Sequence, residues 1–239
     1  MFKIKIADLV VQIDNKYDFV YKQCKDYYTD EQDVDITICA TDEDIRIERE
    51  QSLAQFSEGY LESVCIYRNL SYVLPQFDAF LFHAALIEVD GKGYAFTAKS
   101  GTGKSTHIRL WQQLLGDKVV IVNGDKPILR KVGDKILCYG TPWCGKEKYN
   151  VNKSVELNSI CCLNRAKENS IHKYDVSKAA KNIVHQIVVP KSPENVLKIL
   201  ELLDFTLTSV DVWDLYCNMD IQAAMLSYNT MKGGTSCED

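Results

Sequence analysis

The chain is 239 residues long, 46% hydrophobic and 26% charged, with a net charge of −5 at neutral pH. That is enough apolar material for a sizeable core, in one large domain or one domain with an appended region. The acidic balance and the lack of any Lys/Arg tract exclude nucleic acid and an anionic membrane surface as main partners. The longest apolar stretch, residues 80–89, contains His83 and Glu88 and is too short to span a bilayer. No signal-peptide apolar region opens the chain, so the expectation is a cytoplasmic protein. Nine cysteines, an odd number without repeating spacing, read as reduced and mostly buried thiols rather than a zinc site or a disulfide framework.

In chain order, residues 2–6 and 10–13 read as a pair of strands. Tyr17, Val20, Tyr21, Cys24 and Tyr28 recur at helical spacing, which predicts a helix over 16–28. Residues 30–33 form an acidic loop, and the alternation of Val34, Ile36, Ile38 and Ala40 predicts a half-buried strand. Residues 42–51 are charged and fit no single pattern. A helix is predicted over 58–73, ending near Pro75. Residues 80–89 read as one strand, Asp90-Gly91-Lys92-Gly93 as a turn, and residues 94–97 as the returning strand of a hairpin. A helix follows over 105–115 with Gly116 as its stop. The apolar run 119–122 reads as a central strand, with further strands at 127–132 and 135–140. A loop spans 141–147, and a buried strand 155–163. Asp175 caps a helix carrying Ala179, Ile183, Val184 and Ile187. Ser192-Pro193 opens another, to about Leu203. Residues 207–215 read as extended and 220–231 as a last helix. The expected organisation is a small α/β region over 1–76, a nucleotide-binding core over 77–232 and a frayed tail over 233–239.

The stretch between hairpin and helix carries the chemistry. Residues 96–106, Phe96-Thr97-Ala98-Lys99-Ser100-Gly101-Thr102-Gly103-Lys104-Ser105-Thr106, match the phosphate-loop pattern G-x-x-x-x-G-K-[ST] except that Ala98 stands for the first Gly. Such a loop, at residues Ser100 to Thr106, wraps backbone N–H groups around phosphate oxygens, aided by the positive end of the next helix. Lys104 would reach the β/γ-phosphates and Ser105 would ligate Mg²⁺. The strand, loop and helix in that order are the context the motif needs. A strand hairpin feeding the loop implies a mixed sheet, unlike the helical crossovers of doubly wound folds. Asp125, 21 positions after Lys104 at the end of an apolar strand, suits a second Mg²⁺ ligand; it also fits an ordinary turn aspartate in Gly124-Asp125-Lys126-Pro127. His83, placed mid-strand beside the loop's strand, can take or orient a hydroxyl proton, although a lone His in an apolar strand is more often a core residue. Lys146 and Lys148 can neutralise a transferred phosphoryl group or simply face solvent. Trp143 can stack on a ligand or cover the core. Arg165 follows a strand toward the same end of the sheet, and His107, His172 and His185 read as structural.

The segment Ser100-Gly101-Thr102-Gly103-Lys104-Ser105-Thr106 resembles the loop of phosphoenolpyruvate carboxykinases and HPr kinase/phosphorylases. The order His83, hairpin, loop, strand, acidic turn is similar to the HPr kinase core, over about residues 80–165, and most of all to the short branch with serine kinases of lasso-peptide precursors. The resemblance implies a mixed α/β fold, ATP and Mg²⁺ as cofactors, and His83 assisting transfer to a serine hydroxyl. It implies a peptide or small-protein acceptor, such as a precursor peptide. That family's acidic turn often reads Asp-Asp; here Gly124 replaces the first, so the base role falls to Asp125 or His83. The HPr kinase signature rich in Glu and Arg is missing, so HPr itself is not an implied acceptor, and the chain is far shorter than a carboxykinase. The expected activity is ATP-dependent phosphoryl transfer to a hydroxyl. Transfer to a small metabolite, or nucleotide binding without catalysis, remain open from the sequence, as do ATP against GTP and a homo-oligomeric state.

Overall fold

In the computed structural model, which describes residues 1–233, two sheets form. The expected tail over 233–239 lies outside the described residues except for Gly233. The smaller sheet joins β1 (Phe2–Ile6), β2 (Leu9–Asp14) and β3 (Ile36–Cys39), the first pair antiparallel and the second parallel. Beside it lie α1 (Asp18–Gln23), α2 (Asp42–Gln51) and α3 (Glu58–Val73). The nine-stranded sheet contains β4 (Ala79–Leu81), β5 (Ala84–Val89), β6 (Lys92–Thr97), β7 (Val119–Asn123), β8 (Ile128–Val132), β9 (Lys135–Tyr139), β10 (Ser154–Arg165), β11 (Ser170–Lys173) and β12 (Asp211–Cys217). Its order is β4-β8-β9-β10-β6-β5-β7. The long strand β10 pairs with β9 near its start and with β12 nearer its end, along the edge opposite β6. Because β10 runs parallel to β6 and β5 antiparallel to it, the sheet is mixed, as the hairpin implies.

Period-2 alternation sends successive side chains of the central strands into two different cores. Ala85, Ile87, Phe96, Cys161 and Leu163 meet α4 (Lys104–Leu115) and α7 (Ile221–Met231) on one face. Ala84, Leu86, Ala95, Ile160 and Cys162 meet α5 (Val176–Ile183) and α6 (Pro193–Ser209) on the other. A third cluster joins the small sheet and α3 to Ala79, Leu81, Ile128, Tyr139 and Trp143 of the large sheet and its loops. The first face is also tied by polar contacts: Trp111 Nε1 donates to Ser227 Oγ at 2.9 Å and His107 Nε2 lies 3.0 Å from the same oxygen. Burial pushes the His107 pKa down to about 4, so this imidazole is neutral at physiological pH, in keeping with a structural residue.

Several sequence expectations are corrected. The stretch expected as one strand over 80–89 is two, β4 and β5, broken at Phe82 and His83. The strand at 119–122 is not central: among the described residues β7 pairs only with β5 at the end of the sheet, apart from a bridge from Asn123 to Asn150. The helix expected over 16–28 stops at Gln23 and continues as a 3₁₀ turn, Lys25–Tyr27. Residues 42–51 are helical because Thr41 and Asp44 form a reciprocal capping box that starts α2. The helix opened by Ser192 runs past Leu203 to Ser209, so the segment expected as extended over 207–215 is a strand only from Asp211, and that strand runs on to Cys217. The short strand β11 has no signal in the sequence pattern. The eight described cysteines are free and six of them are buried. Among the described residues no helix is long and apolar enough to cross a membrane.

One buried carboxylate fixes how α1 meets α3. Tyr17, the residue before α1, makes no side-chain cap, and its N–H donates instead to Glu62 Oε2 at 3.1 Å while Lys16 N–H donates to Glu62 Oε1 at 2.5 Å. Glu62 has no solvent exposure. Removing this acceptor strands two backbone donors, so Glu62→Ala is expected to lower unfolding free energy by about 2 kcal/mol or more, and Glu62→Gln by less because it keeps one acceptor oxygen. Denaturant titration of both variants measures the difference.

Candidate active site

Strand β6 ends at Thr97, and the chain passes through residues 98–103 into α4. Gly101 and Gly103 have φ of 78° and 128°, a backbone region that favours glycine. Ala98 is not among the positive-φ residues, so a Cβ is carried there without strain, and the departure from the motif costs nothing locally. Gly103 caps α4, and its carbonyl accepts the first helical bond, from His107 N–H at 2.9 Å. Arg165, at the end of β10, donates from Nε to Thr102 O at 2.9 Å and from Nη2 to Gly101 O. Its guanidinium therefore braces the outer side of the loop.

His83 lies at the break before β5, not in mid-strand. There the backbone leaves one neighbour for another. Phe82 N–H donates to Pro127 O at 3.0 Å, His83 N–H to Gln186 O at 2.8 Å and Ala84 N–H to Asp125 O at 3.1 Å. The Thr97 hydroxyl donates to His83 O at 2.9 Å, which fixes the break against the end of β6. The imidazole then stands among the other expected residues: Nε2 is 2.9 Å from Lys104 Nζ and 3.2 Å from Asp125 Oδ1, and Nδ1 is 2.8 Å from Gln186 Oε1. With the Gln186 oxygen as acceptor, Nδ1 carries a proton, and Nε2 is the nitrogen free to gain or lose one. Without that proton Nε2 accepts from Lys104; with it, Nε2 donates to Asp125.

Charge is balanced tightly here. Lys104 also donates to Ala98 O at 3.3 Å, and Asp125 Oδ2 is 3.0 Å from Lys126 Nζ. Burial opposes ionisation of Asp125, but the hydrogen bond from His83 and the charge and hydrogen bond of Lys126 outweigh it and hold the carboxyl down at about 2. Burial lowers the Lys104 pKa; the Asp125 carboxylate works against that and Lys126 adds to it. Asn123 Oδ1 accepts from the N–H groups of Asp125 and Lys126 at 2.9 and 2.7 Å, an Asx turn that sets the direction of both side chains.

A cavity of about 710 Å³ opens over this cluster. Ser100, Gly101, Gly103, Lys104, Ser105 and Thr106 line one side with His83 and Asp125, and the loop after β9 lines another with Trp143, Gly145, Lys146 and Glu147. Of the residues expected from the sequence, His83, Lys104, Ser105, Asp125 and Lys146 thus meet at one cavity, Lys146 on its exposed rim. Arg165 does not line this cavity; with Thr102 it lines two neighbouring ones, and His83, Ser100 and Gly101 share one of these. Trp143 is 5% exposed and both covers the core and faces the cavity. At Gly124 an added Cβ would lie 2.8 Å from Cys144 O, so the loop after β9 occupies the place of any side chain there. The Asp125 carboxylate and the Ser105 hydroxyl are hard oxygen donors of the kind Mg²⁺ takes, and two protein oxygens suit an ion that keeps water and phosphate among its ligands.

Sequence reasoning missed Gln186, Lys126 and Asn123. Gln186 lies 103 residues from His83 in a 3₁₀ turn and gave no signal. Lys126 and Asn123 flank Asp125, and the Asx pattern Asn123-Gly124-Asp125 was a legible cue for their role.

Comparison with known proteins gives three findings. No curated protein sequence matches the chain. Among solved structures, the HPr(Ser) kinase/phosphatase from Coxiella burnetii aligns at 11% identity with a TM-score of 0.36, over 64% of this chain and 99% of that one. Residues 53–189, more than half of the chain, match the family described as SynChlorMet cassette protein ScmC, and the chain belongs to that family.

Proposed function

We propose that the protein transfers the γ-phosphoryl group of ATP to a hydroxyl, that of a serine in a peptide or small protein. The observation that carries this reading is the convergence of Lys104, His83 and Asp125 at the mouth of a glycine-rich loop that opens a helix. Phosphoryl transfer asks a protein chiefly for positioning and charge neutralisation. The loop N–H groups and Lys104 would hold the phosphates, and Ser105 and Asp125 would hold Mg²⁺. When bound, that ion supplies positive charge against the phosphate oxygens. His83, with Nδ1–H directed to Gln186, would take the acceptor's proton at Nε2 as the hydroxyl oxygen bonds to phosphorus and ADP leaves. Because Gly124 has no room for a second carboxylate, the base role rests on His83, with Asp125 receiving the hydrogen bond of the protonated ring. Lys146 on the rim would meet the transferred group or the acceptor.

Lys104→Ala is expected to weaken Mg-ATP binding by about 2 kcal/mol, the scale of a charge-assisted contact. Unchanged affinity by calorimetry would remove the loop from the nucleotide site. The pH dependence follows from the same side chain. Phosphate favours the protonated amine, so wild-type affinity should begin to fall, as pH rises, at a lower pH than an ordinary lysine would give, while Asp125, already ionised above about 2, adds no acid limb near neutrality.

Asp125→Asn is expected to abolish transfer and to weaken nucleotide binding with Mg²⁺ while leaving metal-free binding nearly intact. Titrations with and without the ion separate this from a turn residue, which would leave both affinities and turnover unchanged.

His83→Ala is expected to lower the transfer rate roughly 10²–10⁴-fold with ATP affinity within a few-fold, the span of a positioned acid–base group. Gln186→Ala should give a smaller loss of the same kind. A melting temperature that falls while specific activity of the folded protein is normal would return His83 to a packing role.

A further inference from the structure

The cavity over Asp125 has two unlike walls. The wall made by the loop, α4 and the turn at Asp125 carries Lys104, Arg109, Asp125 and Lys126. The part of the lining from the N-terminal region is uncharged: Gln23 from α1, and Tyr60, Ser63, Val64 and Tyr67 from α3, with Trp143 joined to them. Its polar groups are largely spent on one another. Trp143 Nε1 donates to Ser63 Oγ at 3.0 Å, Ser63 donates to Gln23 Oε1 at 2.5 Å, and Gln23 Nε2 donates to Pro142 O at 3.1 Å. What this wall offers a ligand is ring and aliphatic surface with two phenol groups.

That surface continues outward. Tyr60, Val64 and Tyr67 stand at i, i+4 and i+7 on α3 and therefore share a face. At its inner end Tyr67 packs on Trp143, ring centroids 6.1 Å apart. At its outer end Tyr60 meets Phe56 at 4.7 Å and Phe19 at 5.9 Å, and all three of these rings are exposed. Of the acids beside these rings, Glu58 is taken by Arg49 at 2.9 and 2.5 Å and Asp18 by Lys22 at 3.7 Å. An acidic side chain laid on this row would lose hydration without gaining a partner, whereas an apolar one would gain from burial. Seven residues of helix at about 1.5 Å each span roughly 10 Å, which equals about three residues of extended chain at about 3.3 Å.

We propose that the α3 wall is the acceptor subsite, and that it takes an extended peptide with a large apolar side chain at least three residues from the phosphorylated hydroxyl, seated on Tyr60 and Phe56. This rests on the kinase reading above and names its substrate class. A free amino alcohol or sugar is too short to reach both ends of the row. An anionic acceptor has no cation on this wall to meet it.

The test uses the full chain and synthetic peptides with one serine in a Gly/Ala background, carrying Leu, Phe, Ala or Asp at three, four or about five positions to either side. Phosphorylation by ATP should favour Leu and Phe over Ala by roughly tenfold in kcat/KM on one side of the serine, with Asp poorest. Phe56→Ala and Tyr60→Ala should flatten that ranking, chiefly through KM. Tyr60→Arg should invert it toward Asp, a gain that loss of packing would not produce. Equal use of all these peptides by the wild-type chain would overturn the subsite. So would an unchanged ranking in Tyr60 and Phe56 variants that melt as the wild type does. Those two results leave the kinase reading standing. Phosphorylation of no peptide, with transfer to small alcohols in its place, would overturn that reading and this one with it.

Discussion

The site depends on a strand that changes partners. At residues 82–84 the chain leaves β8 for β6 and β7, and three successive N–H groups turn to carbonyls outside the regular ladder, at Pro127, Gln186 and Asp125. Buried donors must be paired, so this break exists only if two distant segments, the turn at residues 125–127 and the one at Gln186, are already in place. Each of those acceptors also sits on or beside a side chain of the site: Gln186 holds Nδ1 of His83, Asp125 faces Nε2, and Pro127 follows Lys126. One backbone irregularity thus aligns imidazole, carboxylate and two ammonium groups, and the Thr97 hydroxyl ties it to the end of the strand that feeds the loop.

This explains what was legible in the sequence and what was not. The hairpin, the loop and α4 are local: turn residues, a glycine pattern and helical periodicity lie within thirty residues or so of one another and need no tertiary information. The hairpin supplies the antiparallel pair of the mixed sheet, and its parallel partner β10 comes from far along the chain. The break at His83 is not local, because ten apolar-rich residues from Phe80 to Val89 show no turn residue between them. What divides them is competition among acceptors brought from 40 and more residues away. The same holds for β7, whose run Val119 to Val122 has the composition of a central strand. Val120 packs against the α5–α6 core and Ile121 against the α4–α7 core, so helices on both faces make its apolar residues useful although one edge stays largely unpaired. Composition reports how many faces are covered, not how many neighbours a strand has.

Two pairs of like charge stand close in this site, Lys104 with Lys126 and, when its ring is protonated, His83 with Lys104. One ionised carboxylate, Asp125, is set among them. Such a cluster is costly to bury unless the balance of charge is nearly neutral, and the local balance favours the arrival of negative charge. The N-terminal region contributes none of these ions. Its contribution is shape and apolar surface, held to the core by the hydrogen-bonded chain of Gln23, Ser63 and Trp143.

Arg165 touches the loop only through the carbonyl oxygens of Gly101 and Thr102. In a trans peptide the C=O and N–H vectors are opposed, so pinning a carbonyl on one side of the chain aims the next N–H at the other. The guanidinium therefore acts as a set of reins on peptide orientation. It turns the N–H of Gly103 away from itself before any anion arrives, while the N–H of Thr102 is taken by Lys99 O at 3.2 Å. A cation on the outer side of the loop thereby fixes the polarity of the inner side. In this fold a charge bonded to carbonyls on one side of the loop sets the field on the other.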